Sequence, residues 1–242
     1  MSLRGGLAHV CLDDGKTVVC DTRGKLKQTR KDDLREDIIA VGDLVMATLQ
    51  AGGKGVIEEV LPRSRALIRM APAARGKYKQ VLLANPDQIV LVFSCSPAPR
   101  LRMLDRFLVI CEEQGIDVVI AANKVDLVGI EAAQALFSNY TRIGYAVIYT
   151  STVSGLGVDE LAGRLKDRLS GLAGPSGVGK SSLLNAIQPS LELRISDVSE
   201  GTLKGRHTTV VRRLFALDKG GFVADMPGIR MLTLWDIEPE EL

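Results

Sequence analysis

Read for its apolar and polar positions, the chain changes rhythm near residue 80. Before that point the apolar residues come in short runs separated by turns. Residues 7–12 and 17–21 flank Asp13-Asp14-Gly15, a strong hairpin signal, and residues 43–48, 55–60 and 65–69 read as three more strands. Five short strands in so little chain suit a small closed barrel, of which the OB-fold is the commonest five-stranded kind.

After residue 80 buried-type strands alternate with longer amphipathic segments, the signature of an α/β sheet. Residues 88–93 read as a strand. Residues 101–114 read as a helix, with Leu104, Phe107, Leu108 and Cys111 at helical spacing. Strands follow over 117–122, 146–150, 169–173, 210–217 and 221–224, with a helix over 182–187. Pro72 and Gly76 mark residues 72–79 as a linker. The expected organisation is an all-β OB-fold barrel over 1–71, a linker over 72–79 and an α/β domain over 80–242.

The 242 residues are 46% apolar and 25% charged, an ordinary balance for a soluble globular chain. A net charge of +2 does not argue for nucleic acid by itself, so any basic surface must be local. No run of eighteen apolar residues exists, so no membrane span is expected. Residues 1–7 lack the apolar core of a signal peptide, which favours a cytoplasmic protein. Cys11, Cys20, Cys95 and Cys111 form no C-x-x-C pair, and with only His9 and His207 beside them no zinc-ligand spacing exists. Reduced, mostly buried thiols are expected.

One local basic stretch does exist. Arg23, Lys25, Lys27, Arg30 and Lys31 fall between the second and third strands, before Asp32 and Asp33 reverse the sign. OB barrels bind oligonucleotides through strand faces and loops, so these five are candidate RNA contacts; a solvated loop is the plain alternative. The barrel segment holds no aromatic residue for base stacking, so RNA would be met through phosphates and shape.

The chemistry centres on Gly174-Pro175-Ser176-Gly177-Val178-Gly179-Lys180-Ser181, followed by Ser182. It satisfies the phosphate-loop pattern at every fixed position, with a strand before it and a helix after it. Gly174, Gly177 and Gly179 let backbone N–H groups turn inward around phosphate, and the helix N-terminus faces the same anion. Lys180 would reach the outer phosphates and the Ser181 hydroxyl would ligate Mg²⁺.

Asn123-Lys124-Val125-Asp126 sits at the end of an expected strand, where ligands bind in parallel sheets. The Asp126 carboxylate can accept from guanine N1–H and the exocyclic amine, whereas adenine offers neither donor there. Asn123 and Lys124 would support the loop and stack on the base. Ser151-Thr152 suits a loop giving backbone contacts to the guanine carbonyl, or a plain strand-to-helix turn. Farther on, Gly205-Arg206-His207-Thr208-Thr209 reads as a first switch, with Thr208 or Thr209 on Mg²⁺. Asp225-Met226-Pro227-Gly228 reads as a second, with Asp225 on Mg²⁺ through water and the Gly228 N–H on the γ-phosphate. Guanine recognition therefore precedes the phosphate loop and the switches come last, a circular permutation of the usual order.

An OB-like barrel before a permuted G domain, with GPSGVGKSS, GRHTT and DMPG, resembles the ribosome small subunit-dependent GTPases over nearly the whole chain. A monomer is expected, and the resemblance implies binding of GTP or GDP with Mg²⁺. It implies GTP hydrolysis stimulated by the small subunit late in 30S assembly, and barrel contact with ribosomal RNA. That family also carries a zinc module of three cysteines and a histidine after the second switch. The sequence ends at Leu242 without those ligands, so zinc is not carried over. The family's third switch threonine is Val210 here.

Where Ras-type enzymes place a water-orienting glutamine, this chain has Ile229, which forms no hydrogen bond through its side chain. Unaided hydrolysis should therefore be slow. His207 is the candidate to orient the water, and the resemblance points to the same residue; an exposed loop position or an RNA contact is the alternative. A nucleotide-gated RNA-binding switch with negligible hydrolysis is the second functional reading. An unrelated P-loop ATPase is the third, which Asp126 disfavours.

Overall fold

A computed structural model describes residues 3–4, 7–23, 37–50, 52–73, 76–193 and 213–226. They divide into two compact units, the first holding the described residues up to Pro86 together with Arg213 and Leu214, the second holding the others from Asp87 onward.

The first unit contains β1 (Leu3–Arg4), β2 (Leu7–Cys11), β3 (Thr17–Thr22), β4 (Val45–Leu49) and β5 (Lys54–Val60), which form one sheet in the order β1-β2-β3-β5-β4. Neighbours are antiparallel except β3 and β5, which run parallel, so the strands fold over as in an OB-type barrel. Ala8, Cys20 and Ile57 are its buried centre, with Val10, Val18, Ile39, Val45, Ala47 and Val60 packed around them. Arg63 clamps the approach to β4. Its Nε and Nη2 donate to the two carboxylate oxygens of Asp43 at 2.7 and 2.9 Å, and Nη2 also donates to the Asp37 carbonyl at 2.9 Å.

Two expectations about this unit need correction. The fifth barrel strand is β1 at the N-terminal end, not residues 65–69. Those residues belong to β6 (Ala66–Ala73), which pairs antiparallel with β7 (Gly76–Ala84) in a separate two-stranded sheet. The expected linker, 72–79, therefore lies in that hairpin. Pro72 and Gly76 mark its turn end, where Pro72 lies opposite Lys77 and Ala73 opposite Gly76. The base of the hairpin is held by burial. Val81 and Ala84 pack with Ala40, the Ala84 N–H donates to the Val41 carbonyl at 2.9 Å, and the Val81 N–H donates to Asp37 at 3.1 Å. Residues 72–79 read as a linker in sequence because Pro72 and Gly76 signal a turn, while the pairing of β6 with β7 is not visible there.

The second unit is a six-stranded sheet in the order β10-β9-β8-β11-β13-β12. Its strands are β8 (Gln88–Ser94), β9 (Asp117–Asn123), β10 (Ala146–Thr150), β11 (Leu169–Ala173), β12 (Arg213–Ala216) and β13 (Phe222–Asp225). From β10 through β13 every neighbouring pair is parallel. All seven residues of β8 are buried, as a central strand covered on both faces requires. Even its polar end is satisfied, since Gln88 Nε2 donates to the Arg164 carbonyl at 2.6 Å and to Ser170 Oγ at 2.9 Å.

Among the described residues the α-helices are α1 (Leu101–Glu113), α2 (Ile130–Arg142), α3 (Val158–Leu165) and α4 (Lys180–Ile187). Each buries a stripe at helical spacing: Leu104, Phe107, Leu108 and Cys111 on α1, Ala133, Phe137 and Tyr140 on α2, Leu161 and Leu165 on α3. Leu183 and Leu184 of α4 join Val90, Val92, Val119, Ile148 and Leu172 in the core. Among the described residues no helix is long and apolar enough to cross a membrane.

The chain lays down β8, β9 and β10 outward in one direction, then returns to place β11 on the other side of β8. Such a reversal opens a crevice at the C-terminal strand ends, where ligands bind in open α/β sheets.

Candidate nucleotide site

Three loops meet at that end of the sheet. The first follows β9. Asn123 is 1% exposed, and its amide is fixed from both sides: Nδ2 donates to the Val178 carbonyl at 2.8 Å, while Oδ1 accepts from the Thr150 hydroxyl at 3.0 Å. Lys124 adopts a left-handed backbone (φ +64°), and its ammonium donates to the Gly177 carbonyl at 2.8 Å. Asn123 and Lys124 thereby fasten the loop after β9 to the loop after β11. Val125 is buried and anchors the segment through packing. Asp126 is exposed.

The second loop follows β10. Ser151 is fully buried; its hydroxyl donates to Asp126 Oδ1 at 2.6 Å and accepts from the N–H groups of Val153 and Ser154, each at 3.2 Å. Its own N–H goes to the Leu156 carbonyl at 3.0 Å. Ser151 thus orients the Asp126 carboxylate, and of the expected pair Thr152 is the exposed member.

The phosphate loop leaves β11. Gly174 has φ +144°, and a β-carbon there would collide with the Val92 carbonyl of β8. Gly179 has φ +97°, and a β-carbon there would strike Asn123 Nδ2. The glycines are thus fixed by neighbouring backbone and by the base-reading loop as well as by any ligand. Val178 is buried in the sheet core and pins the loop from beneath. Lys180 Nζ donates to the carbonyls of Gly174 and Pro175 at 2.9 and 2.8 Å, folding its charge across the loop. Pro175, Ser181 and Ser182 are half-buried, whereas Ser176 and Gly177 are exposed. Lys180 and Ser181 open α4, whose N-terminus carries the partial positive charge that suits an anion.

Asp225 ends β13 opposite Leu172 of β11, two residues before Gly174. Burial pushes its carboxyl above the usual carboxylate range, and the Lys180 ammonium pulls the other way. A half-buried carboxylate beside a phosphate loop suits a divalent cation, which would stabilise its ionised form. Among the described residues no three His, Cys, Asp or Glu side chains cluster as a metal site of their own. A phosphate-bound Mg²⁺ needs none, because it takes few protein ligands.

His207, Thr208, Thr209 and Gly228 lie outside the described residues, as do Lys25, Lys27, Arg30, Lys31 and Ile229. Of the expected RNA contacts only Arg23 is described, and it pairs with Glu58 while its N–H donates to the Ile57 carbonyl at 3.2 Å. Thr150 is the residue that sequence reasoning missed. Its position was readable, because β10 ends in register with β9 so that Thr150 lies opposite Asn123.

Known proteins are similar to this chain in sequence and fold. The family model described as RsgA GTPase matches residues 60–235. The small ribosomal subunit biogenesis GTPase RsgA of Gemmatimonas aurantiaca is 43% identical over 238 residues, covering 97% of this chain and 76% of that protein. The protein of the same name from Thermotoga petrophila is 40% identical, covering 95% of this chain and 73% of its own length. Among solved structures, YjeQ from Thermotoga maritima aligns with a TM-score of 0.77 at 35% identity, over 100% of this chain and 77% of that one. YloQ, described as a circularly permuted GTPase, aligns at 0.65 and 32% identity, over 98% and 73% of the two chains. The site, the permuted strand order and these matches agree: the chain belongs to the RsgA GTPase family.

Proposed function

We propose that this chain binds GTP, hydrolyses it, and does so in the service of small ribosomal subunit biogenesis. The observation that carries the reading is the bonding of Asn123 and Lys124 to the carbonyls of Val178 and Gly177, which joins a guanine-reading loop to a phosphate loop. Asp126, oriented by Ser151, accepts the two N–H donors on the guanine edge. Thr152 supplies backbone at the base carbonyl. Gly174 to Ser182 cradle the phosphates, and Lys180 exchanges its two carbonyl partners for the outer phosphates. Ser181 and Asp225, with Thr208 or Thr209, hold Mg²⁺, which neutralises charge on the β- and γ-phosphates when bound. The Gly228 N–H meets the γ-phosphate, and His207 orients the attacking water. The first unit serves as the RNA-binding module, with Arg23, Lys25, Lys27, Arg30 and Lys31 against ribosomal phosphates. The protein works as a cytoplasmic monomer.

Base specificity tests the site directly. Asp126→Asn places an amide where the carboxylate stood; the NH₂ can donate to a carbonyl at base position 2 while its oxygen still accepts N1–H. GDP affinity should fall by at least about a hundredfold and XDP should become the better ligand. Undiminished GDP binding by that variant would remove Asp126 from the site. The role of His207 is tested by His207→Ala, which should abolish subunit-stimulated turnover while leaving GDP affinity unchanged. Ile229 favours a second reading, a switch that gates RNA binding with negligible hydrolysis.

A further inference from the structure

Beside the base-reading loops lies a surface that nucleotide binding does not use. Leu127 and Ile130 follow Asp126, and Val153 and Leu156 follow Ser151; they are 59%, 42%, 83% and 45% exposed. Single exposed apolar residues are ordinary, but these four stand on two loops fastened together. The bond from Ser151 Oγ to Asp126 Oδ1 joins the loops, and the Leu156 carbonyl closes the second loop onto the Ser151 N–H.

Acidic residues open the helices that follow both loops. Glu131 opens α2, and Asp159 and Glu160 open α3, all exposed. The basic residues of these elements are engaged or distant: the Lys124 ammonium is held by the Gly177 carbonyl, and Arg142 and Arg164 lie in the last turns of α2 and α3, away from the helix starts. A chain of net charge +2 thus presents an acidic, apolar face next to its base site. Such a face repels phosphate, so RNA is the wrong occupant.

We propose that these two loops form a docking surface for a lysine- and arginine-rich polypeptide segment that also carries apolar side chains. Leu127, Ile130, Val153 and Leu156 supply the anchoring contacts, and Glu131, Asp159 and Glu160 steer the cationic segment. A partner seated here holds the loop that orients Asp126, so its binding and guanine-nucleotide binding are thermodynamically linked. The source of the segment, a protein of the small subunit, rests on the proposed function.

The test uses the full chain and purified small subunits. With Val153 replaced by p-benzoylphenylalanine, irradiation should join the chain to a ribosomal-protein peptide rich in lysine and arginine. Two further variants, Leu127→Ser with Leu156→Ser, and Glu131→Gln with Asp159→Asn and Glu160→Gln, should each bind subunits about tenfold more weakly. Both should keep the GDP affinity of the parent, which shows that they fold. Crosslinking to rRNA, no crosslink from subunit-bound chain, or unchanged subunit affinity in both variants would overturn the proposal. Failure of the parent chain itself to bind subunits would overturn the ribosomal reading along with it.

Discussion

At the scale of single residues the site depends on side chains that hold one another in place. Thr150 holds Asn123 Oδ1, and Asn123 holds the phosphate loop. Thr150→Val keeps the shape but leaves a buried amide oxygen unpaired, which costs about 1–2 kcal/mol. GDP should bind roughly tenfold more weakly, with the melting temperature lowered only slightly; unchanged affinity would mean that Asn123 needs no orienting partner. The thiols give a prediction of another kind. Burial and the Asp126 charge push the Cys95 thiol up to about 11, and burial pushes Cys111 up to about 12. Both should resist iodoacetamide at pH 8.5 in the folded chain, while the half-buried Cys11 reacts. In the unfolded chain these thiols ionise near the ordinary value of 9.0, so unfolding releases protons more readily above it. Stability should therefore be intact below pH 9 and fall as pH rises from there toward 11. A flat dependence over that window, measured by urea unfolding, would contradict this.

Secondary-structure elements divide into those that sequence patterns reveal and those set by distant partners. The strands from β8 to β11 were legible because buried parallel strands are continuous apolar runs, and α1 because its apolar positions recur at helical spacing. The phosphate loop was legible because its chemistry tolerates few residues. Helix α2 went unnamed because its buried stripe of Ala133, Phe137 and Tyr140 is blurred by further apolar residues that are not buried, Ile130, Ala132, Ala135 and Leu136. The hairpin of β6 and β7 was read as strand plus linker because its pairing partner was unknown, and β1 was missed because two residues carry no period. The segment before β4 shows how distant partners decide such places. Asp43 has 1% of its side chain exposed and is paired with Arg63. Arg63→Ala would leave that carboxylate buried and uncompensated, at a cost of about 3 kcal/mol or more. Thermal unfolding should show a large loss in the first unit, while GDP binding by the second persists. A loss below about 1 kcal/mol would mean that solvent reaches Asp43.

For the whole molecule, the order of motifs along the chain matters less than their order in space. A sheet running β10-β9-β8-β11-β13-β12 brings loops after Asn123, Thr150 and Ala173 to one end, whichever is made first. That is why the permuted order could be read in sequence: each motif lies at a strand end, and parallel strands share an end. The hydrogen bonds that weld the loop after β9 to the loop after β11 were not readable, because they cross 55 and 53 positions of sequence. The central claim is that this welded site turns over GTP slowly alone and quickly when the small subunit supplies what Ile229 does not. It is tested most directly by measuring GTP hydrolysis by the full chain, alone and with purified small ribosomal subunits. The account predicts slow turnover alone and a rise of at least about a hundredfold with subunits, as completing a missing positioner and charge in phosphoryl transfer would give. GTP-dependent subunit binding without any rise in turnover would contradict it and leave the nucleotide-gated switch as the better description.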